Sequence, residues 1–348
     1  MHQNDTATAL PASAAGRRTL STRDPDDLAR NLSGWEQVYD QITCGAFAGT
    51  LDELRLPGVQ VFRERISQSV HQVCCVRPDA VWFGLPLEVD ASRINGRRVD
   101  AQGLMARPGG CEFELVTPPC HDIYGIVVER SVLEDGERRH GAVAALGGID
   151  RAEILRVDPA ARAACLRALA AVMDAADAAG AAEAQDRVVE ALLLTLDAAS
   201  VEACALQSQQ RRRKVVAQAR AYLFEHRARA VSIPELCEHV HVSRRTLQYC
   251  FEDVLGVSPV VYLRRLRLNG IRRTLLDDAD GTRGIGSVAA DWGIDNFSQF
   301  SSDYKRLFGA SPSAYVKMSR DAGTTCSPVI PAQAGTQGLR ASIMKHNT

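Results

Sequence analysis

The chain has 348 residues, 46% of them hydrophobic and 24% charged, which is enough for two domains with real cores. Its net charge of −1 conceals a division: residues 211–320 carry 19 Lys and Arg against 11 Asp and Glu, whereas residues 1–210 carry 20 against 30. No apolar run approaches the 18 residues of a membrane span, and ten cysteines without disulfide or zinc-finger spacing fit reduced thiols in a cytoplasm.

Residues 1–30 are rich in Ala, Ser, Thr, Asp and Arg without periodicity and are expected to form a disordered arm. Arg17-Arg18 is followed by polar text, so no signal h-region is expected there. Order is expected from Trp35, in a sensor or dimerisation domain spanning 31–205. Its first part, 35–130, carries short apolar runs such as Gly58–Phe62, Val73–Val76, Val81–Gly84, Cys111–Val116 and Ile123–Val128. Turn signals at Leu56-Pro-Gly58, Arg77-Pro-Asp79, Asn95-Gly96 and Arg107-Pro-Gly-Gly110 separate them. Short strands at this spacing predict a barrel or a two-sheet sandwich.

Asp158-Pro159 then caps a helix, and Ala-rich helical text fills 158–201 with a break near Gly180. Leu166, Leu169, Val172 and Met173 mark one buried face; Val188, Val189, Leu192 and Leu196 mark another. Such faces suit a homodimer interface or packing onto their own domain. Residues 206–212 read as a linker, and Arg211–Lys214 as a solvated hinge or a phosphate contact. Residues 319–348 have little periodicity and are expected to be a disordered tail.

Between them the same pattern occurs twice. Ile233, Leu236, Cys237 and Val240 have the spacing of one helix face, and Ile285, Val288, Ala289 and Trp292 repeat it 52 residues later. The following helices align at an offset of 53, Leu247, Phe251, Val254 and Leu255 with Phe300, Tyr304, Leu307 and Phe308. Their exits, Gly256-Val-Ser-Pro259 and Gly309-Ala-Ser-Pro312, align too, so an internal duplication is indicated. Each copy reads as a helix-turn-helix, whose second helix lies in a major groove.

Winding the first reader over Ser243–Leu255 buries Leu247, Cys250, Phe251 and Val254 and turns Arg245, Gln248, Tyr249 and Glu252 outward. Arg pairs bidentately with guanine and Gln with adenine, so Arg245, Gln248 and Tyr249 are candidate base readers. Ser243 and Arg244 are candidate phosphate contacts. In the second copy Phe297, Phe300, Tyr304 and Leu307 are expected on the buried side. Ser298, Gln299 and Ser302 are left as base readers, with Lys305 and Arg306 on phosphates. Ser232-Ile-Pro-Glu235 is a capping box, and Tyr262–Leu276 reads as a connecting helix with Leu263, Leu266, Ile271 and Leu275 buried.

Residues 213–318 resemble the DNA-binding domain of the AraC/XylS family of bacterial transcription regulators. The resemblance rests on Leu247-Gln-Tyr-Cys-Phe251, Arg267-Leu-Asn269, Ala289-Ala-Asp-Trp-Gly293, Ser298-Gln-Phe300, Tyr304-Lys-Arg-Leu-Phe-Gly309 and Ser311-Pro312. It departs from the family at Ser302, where Arg is common, at Asp303, where a small apolar residue is common, and at Phe297, where a polar residue often reads a base. The strand-rich segment in turn resembles the cupin-like sensor domains attached to that family, and faintly its ethanolamine-utilisation regulators, on Trp82-Phe-Gly-Leu-Pro86 and Gly110-Cys-Glu-Phe-Glu114.

The resemblance implies a multidomain α and β chain: an N-terminal β-rich cupin-like barrel with flanking helices, then an all-α tandem helix-turn-helix domain. It implies a regulator, commonly an activator, that binds double-stranded DNA, meets RNA polymerase and answers to a small-molecule effector. Trp82, Phe83, Phe113 and Tyr124 either line the mouth of an effector pocket or are core aromatics. No cofactor, metal or catalytic residue is expected: Gly284-x-Gly286-x-x-Ala289 follows no strand, and the chain has no phosphate loop or nucleophile elbow. The alternative, a metal- or redox-dependent enzyme or sensor fused to a DNA anchor, requires His71, Cys74, Cys75, Cys111, Cys120 and His121 to converge.

Overall fold

The computed structural model describes residues 16–88, 92–140, 149, 153–175, 180–197, 199–201, 207–278 and 282–323. Its N-terminal part contains thirteen strands among the described residues: β1 (Gly16–Thr22), β2 (Trp35–Gln41), β3 (Gly49–Arg55), β4 (Val59–Ile66), β5 (Val70–Val76), β6 (Ala80–Pro86), β7 (Arg93–Ile94), β8 (Arg97–Arg98), β9 (Gly103–Pro108), β10 (Phe113–Val116), β11 (His121–Glu129), β12 (Ile154–Arg156) and β13 (Ser200–Val201). They form two antiparallel sheets, ordered β1-β3-β4-β11-β6-β9-β12-β13 and β2-β5-β10-β7-β8. No ladder among the described residues joins the two into a closed barrel. Asn95 and Gly96, both at positive φ, make the tight β7–β8 turn that their sequence predicts.

Strand alternation divides the aromatic side chains. Val81, Phe83 and Leu85 of β6, with Tyr124, Ile126 and Val128 of β11, face the helices α3 (Pro159–Ala175) and α4 (Ala181–Asp197), where Leu169, Val172, Val188 and Leu192 complete the cluster. Ala80 and Trp82, with Ile123 and Val127, face the smaller sheet and meet Tyr39, Cys74 and Phe113. The layers are therefore small sheet, large sheet, helices. Each buried Val, Leu or Phe contributes about 1.5–3 kcal/mol. Consecutive residues of a strand point to opposite faces, so Trp82 and Phe83 do not line one pocket, and of the two readings of these four aromatics their burial fits core. Trp82 stacks on Phe113 at 5.0 Å in one core, while Phe83 and Tyr124 lie in the other. The narrow cavity between the sheets is lined instead by Trp35, Tyr39, Phe62, Glu64, Trp82 and His121, and its volume of about 20 Å³ is room for one water.

Three boundaries differ from expectation. Residues 16–30, expected in the disordered arm, form β1 and the helix α1 (Pro25–Arg30). Their order comes from pairing with β3 over Gly16–Thr22, from the Asp24 cap and from burial of Leu28 and Ala29. Residues 207–212, expected as linker, are the first turns of the helix α5 (Gln207–Glu225). The last helix continues through residues 319–323 of the expected tail; residues 1–15, 206 and 324–348 lie outside the described ones.

After α5, the C-terminal part runs α6 (Ile233–His239), α7 (Arg244–Leu255), α8 (Pro259–Asp277), α9 (Ile285–Asp291), α10 (Phe297–Phe308) and α11 (Pro312–Gly323); α2 (Arg130–His140) belongs to the first part. Two cores divide it. Leu236, Leu247, Phe251, Tyr262 and Leu266 belong to the first, and Ile271, Val288, Phe300, Tyr304 and Leu307 to the second. The connecting helix α8 begins three residues before the expected Tyr262, because Ser258 accepts from Val261 N and Pro259 fits the first turn. Leu263, Leu266, Ile271 and Leu275 are buried as their spacing predicts.

Buried polar groups bind the two parts together. Arg272 of α8 is fully buried and bridges Asp24, at 2.5 Å, and Asp26. The Tyr315 hydroxyl donates to Asp24 at 2.8 Å, and Arg273 meets Asp40 at 2.7 Å. Asn269 exchanges two 3.0 Å hydrogen bonds with the Gln41 backbone, as another strand would. Gln41 Nε2 and Gly45 N both donate to the Leu307 carbonyl at the end of α10. Burial opposes ionisation of Asp24, but Arg272, the Asp27 N–H and Tyr315 together hold its carboxyl below the usual range. Asp40 is likewise opposed by burial and held low by Arg273.

Candidate nucleic-acid interface

The geometry of the two copies matches at their ends as well as along their faces. Ser243 accepts from Thr246 N at 3.1 Å and Asn296 accepts from Gln299 N at 3.0 Å, so each reader starts on an equivalent side-chain cap. Each stops at a left-handed glycine, Gly256 at φ 73° and Gly309 at φ 76°. The capping box on α6 forms as predicted, with Ser232 and Glu235 exchanging hydrogen bonds. Hydrogen bonds from Arg229 and then Tyr222 pull the Glu235 carboxyl down to about 2. Its charge at the start of α6 is therefore permanent near neutrality, where it complements the helix dipole.

The first reader presents Arg244, Arg245 and Tyr249 to solvent, with Gln248 half-buried. Leu247, Cys250, Phe251 and Val254 are buried on the opposite side, as expected. Gln248 hydrogen-bonds to Glu252. Arg212, in the stretch read as a hinge, donates to the Tyr249 hydroxyl at 3.0 Å and to Asp253 at 2.8 Å, with its guanidinium 5.2 Å from the Tyr249 ring centre. This residue was missed as part of the face. Its signal was the helical phase of 207–225, masked by the run of like charges.

The second reader departs from expectation at Phe297. Phe297, expected on the buried side, is 45% exposed, while Asp303 is 5% exposed. Phe297 is the first residue of its helix and lies beside Gly286, which offers no side chain to cover it. Asp303 is buried because three groups converge on it: Gln299 at 3.0 Å, Arg306 at 2.6 Å and Arg264 of α8 at 3.6 Å. Gln299 and Arg306 are thus held by their own domain. Ser302 donates to the Ser298 carbonyl at 3.1 Å. Ser298, Gln299, Ser302, Lys305 and Arg306 are all exposed on one helix.

Trp292 seats this unit on the connecting helix. Its indole lies against Gly270, where a Cβ would come within 2.1 Å of the ring, and its Nε1 donates to Thr274 at 3.3 Å. Gly270 is mid-helix, where glycine costs about 1 kcal/mol relative to alanine, and the close approach of Trp292 is what requires it.

Among the described residues no three His, Cys, Asp or Glu side chains are grouped to hold a metal ion. His71 and Cys74, two of the six residues considered, are buried; His71 lies 3.4 Å from Glu114, and Cys74 belongs to the core between the sheets. Among the described residues no helix is long and apolar enough to cross a membrane.

A family model described as a helix-turn-helix domain matches residues 236–318. The probable thc operon regulatory protein of Rhodococcus erythropolis is 33% identical over 92 residues, 26% of this chain and 28% of that protein. The regulatory protein HrpB of Ralstonia nicotianae is 36% identical over 93 residues, 26% of this chain and 20% of that protein. The chain therefore matches these relatives over less than a third of their length. A probable AraC family transcriptional regulator from Rhodopseudomonas palustris, known by crystal structure, shares 27% identity over 30% of this chain and 96% of its own, with a TM-score of 0.28. With its duplicated motif, its matched caps, the family model over residues 236–318 and the curated regulators it matches there, the C-terminal part of the chain is an AraC-type helix-turn-helix domain.

Proposed function

We propose that the chain is a sequence-specific DNA-binding transcription regulator whose two reader helices enter successive major-groove segments. The observation that carries this reading is the pair of equivalently capped helices with buried inner faces and open outer faces. Arg245 and Gln248 suit guanine and adenine in the first segment, with Tyr249 beside them. Ser243, Arg244 and Lys305 suit phosphates. Ser298, Gln299 and Ser302 are the polar readers of the second segment, and Gln299 and Arg306 must leave Asp303 to reach DNA. The N-terminal part is the regulatory half, a cupin-like sandwich in which an effector would enter between the sheets. Since that cavity has room for about one water, such an effector must part the sheets, and Gln41 and Asn269 would pass that movement to α8.

Selecting bound duplexes from a random pool with the full chain, followed by footprinting, tests this. Two protected segments one helical turn apart, about 34 Å, are expected. One protected segment, or no enriched sequence, refutes tandem reading.

A further inference from the structure

Phe297, the first residue of the second reader, is the one large apolar side chain of that helix left exposed. Three of the polar side chains on that helix make hydrogen bonds within it: Gln299 and Arg306 to Asp303, and Ser302 to the Ser298 carbonyl. Asp303 itself is an acceptor-only group when ionised and can pair neither with phosphate nor with the acceptor edges of guanine. In the repeat, Phe297 occupies the position of Arg244, the first residue of its reader, and both are exposed. The ring is left 45% in water at that position, beside Gly286 of α9, which adds no side chain over it.

The apolar feature that a major groove offers is the C5-methyl group of thymine. We propose that Phe297 packs on thymine methyl groups, so that the second reader adds an apolar contact to its polar readers, whereas the first relies on hydrogen bonds from Arg245 and Gln248. This assignment rests on the DNA-reading function proposed above. It accounts for the combination of an exposed ring with polar side chains that are hydrogen-bonded within the same helix.

The test uses the full chain and the site selected from the random pool. Each thymine of the second segment is replaced in turn by deoxyuridine, which lacks only the methyl group, and affinities are measured for wild type, F297A and F297L. At one or two positions deoxyuridine should weaken wild-type binding about fourfold, the worth of one buried methyl group. F297A should bind thymine and deoxyuridine sites alike, and F297L should recover part of the discrimination. Retained sensitivity of F297A to base changes in the first segment shows that the variant is folded. The inference is overturned if deoxyuridine is neutral for wild type throughout the second segment, or if it costs wild type and F297A equally. Specific binding with no methyl effect overturns this inference alone, whereas absence of any selected site overturns the function on which it rests.

Discussion

Arg245 and Lys305 are both exposed cations on reader helices, yet the account gives them different work. Arg245 has the planar fork that matches guanine, so Arg245→Ala should cost about 1–3 kcal/mol on the selected site and relax base choice. Equal losses on selected and random DNA would remove it from the list of base readers. Lys305 is a point charge one helical turn after Ser301, and Lys305→Ala should weaken all sequences alike and lower the salt slope by about one. A loss restricted to the selected site would contradict that role. Arg212 belongs with them: by holding Tyr249 from the edge of α5 it sets the ring's direction on the outer face.

Among elements, the reader helices were the most legible part of the sequence, because their determinants are local. In each copy the caps, Ser243 with Gly256 and Asn296 with Gly309, stand 13 residues apart and enclose the apolar spacing of one face. The failures came where distant groups decide. Phe297 has the helical phase of Phe300 and Tyr304, but at the first position of the helix it lies beside Gly286, which adds no side chain over it. Asp303, to which the sequence assigned no face, is buried under Gln299 and Arg306 of its own helix and Arg264 of another. The order of residues 16–30 was illegible for the same reason, since Asp24 finds its partner Arg272 248 residues away. The strand alternation that separates Trp82 from Phe83, by contrast, was available in the sequence. At this scale Gly270→Ala tests how the second unit is held. The added Cβ meets Trp292 in a packed contact, and overpacking of this kind costs about 1–3 kcal/mol. Hydrogen exchange should show α9 to α11 losing protection while α6 and α7 keep theirs; unchanged protection of α10 would mean that Trp292 does not seat it.

In the whole molecule, the acidic N-terminal part and the basic domain are joined by buried ion pairs, and the division of charge in the sequence foreshadows that joint. Removing one partner of a buried pair strands the other charges, so Arg272→Met should lower stability by about 3–5 kcal/mol, read from urea midpoints. Adding Asp24→Asn and Asp26→Asn should recover much of it; no recovery would contradict the assignment of the loss to the stranded carboxylates. The joint also fixes a pH dependence. Asp24, Asp40 and Glu114 are held low by arginines against the opposing effect of burial, Arg220 serving Glu114. Carboxyls lowered in the folded state give stability that is present above their unfolded values, near 4, and is lost as pH falls through the folded ones. Glu64, raised by burial, works in the opposite sense and gains on acidification. Wild type should therefore lose its midpoint steeply below about pH 4, and Arg272→Met should show a shallower loss; parallel curves would contradict the assignment to this joint.

The most direct measurement is binding of the purified full chain to the selected site against random duplex across a salt series. The account predicts binding about a thousandfold tighter to the selected site, with affinity falling steeply as salt rises. Equal, weak binding to both duplexes at every salt concentration would contradict it.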